Sequence, residues 1–180
     1  IMTQTDEGKD VPVAMRDVLL KQVPILKKKF VRYSAYAQAK FSDLFAEKDL
    51  QGTQQLRCNM LASTIFINQN GRFTAKNLPN LAQISPLYSI QAVDYDGDGD
   101  LDLIAAGNDW GQQVETGRLD AGNGVVLTND GAGNFTALMP NASGLWASRD
   151  VRDLKILKGP GKKRLILVGN NNEKMQCFHF

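Results

Sequence analysis

The chain has 180 residues, of which 43% are hydrophobic and 22% charged, so it can bury an ordinary core. Its net charge of +2 is too mild to mark a nucleic-acid binder or a membrane-surface binder. No apolar run is long enough to form a membrane-spanning helix, and direct membrane insertion is not expected.

The chain opens Ile1-Met2. Residue 1 is therefore expected to be an internal residue of a longer protein or a remnant of its preparation. No signal peptide is visible, which in such a chain says nothing about secretion. Residues 11 to about 60 read as helical. Val18, Leu19, Leu20 and Val23 form an apolar face, and Pro24 breaks this helix or starts a second one. Leu26 and Phe30 continue the face while Lys27, Lys28 and Lys29 point away. Tyr33, Tyr36, Ala37 and Phe41 keep spacings of three and four, and Ser42 is placed to cap a helix through Asp43-Leu44-Phe45. Residues 1–55 are assigned as a helical segment and residues 56–180 as β repeats.

After about residue 56 the helical period disappears. Short β-prone runs, Thr64–Ile67, Leu103–Ala106, Val125–Leu127 and Leu165–Val168, alternate with Asn, Gly and Asp clusters. A repeat lies inside this part. Gly71-Arg72-Phe73-Thr74 matches Gly133-Asn134-Phe135-Thr136, and Gly107-Asn108 matches Gly169-Asn170, both 62 residues apart. About four strands per unit fit a propeller blade. Two units, about 56–118 and 119–180, are expected. Four copies would exceed the chain, so the predicted fold is mainly β (α+β overall): an incomplete propeller of two antiparallel blades behind a helical segment. The last strand is expected to run from Met175 to Phe180.

Five carboxylates alternate along Asp94-Tyr95-Asp96-Gly97-Asp98-Gly99-Asp100-Leu101-Asp102. This is the ligand order of a calcium loop. Asp94, Asp96 and Asp98 hold positions 1, 3 and 5, and Gly99 supplies the turn. Asp100 would offer its carbonyl and Asp102 would ligate directly or through water. At ~6 Å in water each carboxylate pair repels by roughly 0.7 kcal/mol, which a cation offsets. Calcium takes six to eight oxygen ligands, whereas zinc wants His or Cys. Position 12 is Ala105 and the flanks look like strands, so the loop closes a β-hairpin and is not an EF-hand. At the 62-residue offset Asp94, Asp96 and Asp102 become Ile156, Lys158 and Arg164, so one ion per chain is expected. Gly159-Pro160-Gly161-Lys162-Lys163 would make the second turn.

These residues resemble the FG-GAP / VCBS repeat family, through Asn70–Thr74, Gly131–Thr136 and Asp94–Asp102. The chain is also similar to the C-terminal region of large VCBS-repeat surface proteins of Bacteroidetes. The resemblance implies a propeller-type module of an exported parent protein, at the cell surface, outer-membrane-associated or periplasmic. Its partners would be the other blades of that parent, and an extracellular protein or glycan.

Catalytic constellations are scarce. The sole histidine, His179, is near the C-terminus, and no G-x-S-x-G or H-E-x-x-H occurs. The chain is not expected to be an enzyme, and part of a surface carbohydrate-active enzyme is the least favoured reading. The polar segment Asn108–Gly124 carries Trp110, Glu115, Arg118 and Asp120. It reads either as a ligand-contact loop with Trp110 as platform or, favoured, as a self-packed loop with a Glu115–Arg118 ion pair. Cys58 and Cys177 could pair or stay as buried thiols. The function expected is a calcium-binding, non-catalytic extracellular module for ligand binding or adhesion. The alternative is a purely structural terminal module completing a larger propeller.

Overall fold

A computed structural model describes residues 1–159, 161 and 163–180. Contacts divide the chain into two compact units, Ile1–Cys58 and Asn59–Phe180.

The first unit opens with a hairpin of β1 (Thr3–Asp6) and β2 (Lys9–Pro12). Its two turn residues, Glu7 and Gly8, both have positive φ, 45° and 76°. A two-residue turn between twisted strands demands that backbone. Four short helical pieces follow: α1 (Arg16–Gln22), a 3-10 turn (Pro24–Lys28), α2 (Tyr33–Ala37) and α3 (Phe41–Leu44). A further 3-10 turn covers Glu47–Leu50. The predicted apolar face holds in part: Leu19, Leu20, Leu26, Phe30, Tyr36, Ala39 and Leu44 form one buried cluster, whereas Tyr33 and Ala37 are exposed. The Tyr36 hydroxyl donates to the Ala14 carbonyl at 2.6 Å, and the Phe30 ring meets Tyr36 edge-on. Lys27, Lys28 and Lys29 are exposed.

Helix from 11 to 60 was too generous a reading. The chain turns at Pro24 and again at Lys29, and residues 51–63 carry no helix. The cap is also displaced. α3 starts at Phe41, so Ser42 lies inside it, and the Asp43 carboxylate accepts the Lys40 N–H at 2.9 Å. An acidic side chain in the first turn satisfies that donor from within the helix.

The second unit is antiparallel throughout. A hairpin pairs β3 (Thr64–Gln69) with β4 (Arg72–Asn77). A four-stranded sheet runs β5 (Leu87–Val93), β6 (Asp102–Gly107), β7 (Val125–Asn129) and β8 (Phe135–Leu138). The short helix α4 (Pro140–Ser143) leads to a three-stranded sheet of β9 (Val151–Lys158), β10 (Arg164–Asn170) and β11 (Gln176–His179). The four β-prone runs all fall within strands.

The three sheets are layered with the four-stranded one in the middle. Ala105, Val125 and Leu127, with Leu103, Phe135 and Ala137, pack against Ile65, Leu78, Leu81 and Ala82 on one side. Ile104, Ala106 and Val126, with Leu138, pack against Leu154, Ile166 and Val168 on the other. Two buried faces explain why β6 is continuously apolar after Asp102 instead of alternating. Ile104 and Leu127 are wholly buried, each worth about 1.5–3 kcal/mol.

Two expectations need correcting. The hydrogen-bonded sheets do not coincide with units 56–118 and 119–180. The middle sheet crosses that boundary, taking β5–β6 from one repeat and β7–β8 from the next. The 62-residue offset also fails in the hairpins. Leu87 pairs with Gly107, and Val151 pairs with Asn170. Val151 thus stands 64 residues after its counterpart and Asn170 stands 63 after its own. The register shift at Gly169/Asn170 is matched by one at Leu87/Ser89, so both hairpins share the bulge and the slip lies in the lengths of the linking segments. One residue of slip exchanges the two faces of a strand. Asp94 and Asp102 therefore correspond to Lys158 and Leu165, which still offer no carboxylate. Pro160 and Lys162 of the expected second turn lie outside the described residues.

Candidate metal centre

Residues 94–101 link β5 to β6, and the last ladder pair is Val93 with Asp102. Gly97 and Gly99 have φ of 87° and 96°, a backbone open to glycine. The aspartates fold the loop around their own amides. Gly97 N–H donates to Asp94 Oδ1 at 2.7 Å, Asp98 N–H to Asp96 Oδ1 at 3.2 Å, and Asp100 N–H to Asp98 Oδ1 at 2.9 Å. Such local bonds are why Asp suits tight turns.

Asp102 differs from the other four. It is fully buried, and each carboxylate oxygen accepts a backbone N–H: Tyr95 at 2.7 Å and Asn129 at 2.8 Å. It thus ties the loop to β7. The Asn129 amide adds a bond to the Leu101 carbonyl at 3.2 Å.

Oxygens of Asp94, Asp96 and Asp102 lie within 4.8 Å of one another. Burial of its carboxyl is the largest cause holding the Asp96 pKa above the ordinary 3.8. The charges of Asp98, Asp102 and Asp94 add to it, and a backbone bond from Asp98 opposes it. A cation would relieve this repulsion. Asp98 and Asp100 do not join the group. The Asp100 carboxylate turns to Gly131, where an added Cβ would come within 2.6 Å of Oδ2. Three hard oxygen donors on one side of a glycine turn suit calcium, which tolerates irregular geometry.

The loop is also anchored from the third sheet. Arg164 Nη1 donates to the Asp94 carbonyl at 2.7 Å. The Tyr95 ring stacks on Phe180 at 4.9 Å, and its hydroxyl donates to the Ser143 carbonyl at 3.0 Å. Burial raises the Tyr95 pKa. Sequence reading missed Tyr95, Asn129 and Arg164. The one visible signal was an aromatic among alternating carboxylates.

The Asn108–Gly124 loop lies at the opposite end of the β5–β6 hairpin from the acidic loop. Asp109 and Leu119 exchange backbone bonds of 2.8 and 2.9 Å, which pinch it closed. Trp110 is half-buried, with Arg118 over its ring at 4.7 Å. Glu115, Arg118 and Asp120 are exposed. Among the described residues Arg118 makes no ion pair with Glu115, because its guanidinium rests on Trp110. Asn108 is wholly buried with φ of 87°. Its side chain accepts from Ser85 Oγ and Gly122 N–H and donates to the Gly122 and Arg149 carbonyls. Beside it Asp109 accepts from Gln112, Gly111 and Tyr88, and Arg152 lies over the Tyr88 ring. His179 is exposed on β11, and Cys58 and Cys177 are exposed, not buried.

A strand, a turn, a Phe-Thr strand and then an acidic loop within the next hairpin follow one another along residues 64–107. Residues 55–105 match the FG-GAP-like repeat. The FG-GAP-like stretch contains β3, β4, β5, the acidic loop and most of β6, so it spans two hydrogen-bonded sheets. No curated protein and no solved structure gives a significant match. Among the described residues no helix is long and apolar enough to cross a membrane.

Proposed function

We propose that the β unit is a calcium-stabilised, non-catalytic module of the propeller type, serving ligand binding or adhesion outside the cytoplasm. The observation that carries this reading is the convergence of the Asp94, Asp96 and Asp102 carboxylates within 4.8 Å. The FG-GAP-like match supports the module type. Calcium would hold the loop by neutralising those carboxylates. Arg164 and Tyr95 would pass that rigidity to the third sheet. A loop lacking a twelfth-position carboxylate binds in the range that extracellular calcium saturates. The parent is an exported surface protein, and the other blades of that parent are the nearest partners.

The test is thermal melting in calcium, in magnesium and in chelator. The proposal requires a melting temperature that rises in calcium by more than in magnesium. A ligand at 100 times its Kd adds about 2.7 kcal/mol. Equal melts in all three would sink it. The Trp110 loop is the candidate contact surface for an extracellular protein or glycan, with Glu115, Arg118 and Asp120 around it. Unchanged binding by the parent protein after Trp110→Ala and Arg118→Ala would remove the loop from that role.

A further inference from the structure

Arg164 opens β10, and its side chain reaches out of its own sheet. Its Nη1 donates to the Asp94 carbonyl at 2.7 Å. Asp94 is one of the three aspartates whose carboxylates converge. Among the described residues the Arg164 guanidinium forms no ion pair with any of them. It therefore acts on the acidic loop as a fixed positive charge, not as an occupant of a carboxylate oxygen. Covalent geometry keeps a carboxylate within about 5 Å of its own residue's carbonyl. The charge thus stands within about 8 Å of the Asp94 carboxylate.

The hairpin that supplies this charge offers no carboxylate at its own turn. Lys158 pairs with Arg164 across the β9–β10 ladder, so the two share a face, and Lys158 is exposed. The basic end of one hairpin lies beside the acidic end of its neighbour. The backbone around Asp94 is also held without Arg164. Val93 pairs with Asp102, the Tyr95 N–H donates to Asp102 at 2.7 Å, and the Gly97 N–H donates to Asp94 at 2.7 Å. Those bonds survive the loss of Arg164, so what its loss takes from the site is chiefly charge.

We propose that Arg164 sets the calcium threshold of the acidic loop. Without calcium, its charge offsets part of the repulsion among Asp94, Asp96 and Asp102 and stabilises the folded loop. With calcium bound, the same charge opposes the ion. A doubly charged ion held at that carboxylate meets a unit charge across about 8 Å of water, a repulsion worth roughly fivefold in affinity. Arg164 and calcium are thus antagonists that neutralise the same carboxylates. The inference rests on the calcium reading above and adds to it what fixes the affinity.

Calorimetric calcium titration of the full chain at low salt, beside melts in chelator, tests it with Arg164→Gln and Arg164→Lys. Arg164→Gln should bind calcium about fivefold more tightly than the wild type, yet melt lower in chelator. Arg164→Lys keeps the charge, so its affinity should stay within about twofold of the wild type. A merely structural Arg164 would instead weaken calcium binding and lower the melt together. The gain in Arg164→Gln should fade in molar salt, where screening acts within about 3 Å. Circular dichroism verifies that each variant is folded. Lys158→Gln, which removes a neighbouring charge and no loop bond, should tighten binding in the same direction by less, and it decides the matter if Arg164→Gln does not fold. Wild-type or weaker affinity in Arg164→Gln, an equal gain in Arg164→Lys, or, in the fallback, an unchanged Lys158→Gln would overturn the proposal alone. A wild type that binds no calcium would sink the calcium reading, and the proposal with it.

Discussion

Replacing Asp102 by Asn separates anchoring from metal binding. The carboxylate is fully buried and both of its partners are backbone donors, Tyr95 and Asn129. An Asn side chain offers one oxygen and one NH2, so either way round one amide faces a donor. A buried donor without an acceptor costs about 1–3 kcal/mol, and exchanging a charged for a neutral acceptor weakens the remaining bond by roughly 1 kcal/mol. The sum is about 2–4 kcal/mol, which for a unit of this size lowers the melting temperature by ~10 °C. The assay is thermal melting in chelator, where no metal contributes. Asp98→Asn is the control, because Asp98 is exposed and among the described residues accepts only from Asp100, and its loss should stay within about 0.5 kcal/mol. A D102N melt within ~2 °C of the wild type in chelator would refute the anchoring argument.

Asn108→Gly keeps the positive φ and loses the side-chain bonds, costing about 2 kcal/mol by melting. Asn108→Ala should cost about 1–2 kcal/mol more, since alanine resists that backbone. Acid melts of wild type and Asp109→Asn report the Asp109 network. The Gln112 amide, then the Gly111 N–H, hold the Asp109 pKa below the ordinary 3.8. Its contribution is therefore complete above 3.8 and lost as pH falls through the lower folded value, so the two melting curves should converge only in that acid window. Trp110→Ala removes the Arg118 stack and should lower stability by only about 0.5–1 kcal/mol, because the ring is half-buried and its partner exposed.

Much of this was legible along the sequence. Thr64–Ile67, Leu103–Ala106, Val125–Leu127 and Leu165–Val168 are strands because β-branched and aliphatic runs between Asn/Gly turns have few other stable conformations. The acidic turn was legible because glycines among alternating carboxylates mark a tight loop between strands, although spacing placed Asp98 with Asp94 and Asp96 and the structure leaves it outside the group. Its internal division was not: Asp102 is taken up by the amides of Tyr95 and Asn129, and the second amide comes from another hairpin. Sheet boundaries were hidden for a related reason. A sequence repeat has a period but no phase, and hydrogen bonding placed β5–β6 with β7–β8. The offset failed because the stretch from Phe135 to Val151 is two residues longer than that from Phe73 to Leu87, and the turn after β9 is one residue shorter than the acidic loop, while both hairpins carry the same bulge, at Leu87/Ser89 and Gly169/Asn170. The β1–β2 hairpin was missed since Glu7-Gly8 is a weak turn signal beside stronger helical spacing, and Arg164 since its partner is a distant carbonyl.

The central claim is that the converging aspartates bind one calcium ion. Calorimetric titration of the full chain with calcium, beside Asp94→Asn and Asp96→Asn, addresses it directly. The account predicts one site per chain, of micromolar to millimolar affinity, abolished or weakened at least tenfold in both variants. No heat in the wild type, or equal binding in the variants, would contradict it and leave Asp94–Asp102 as a solvated hairpin turn.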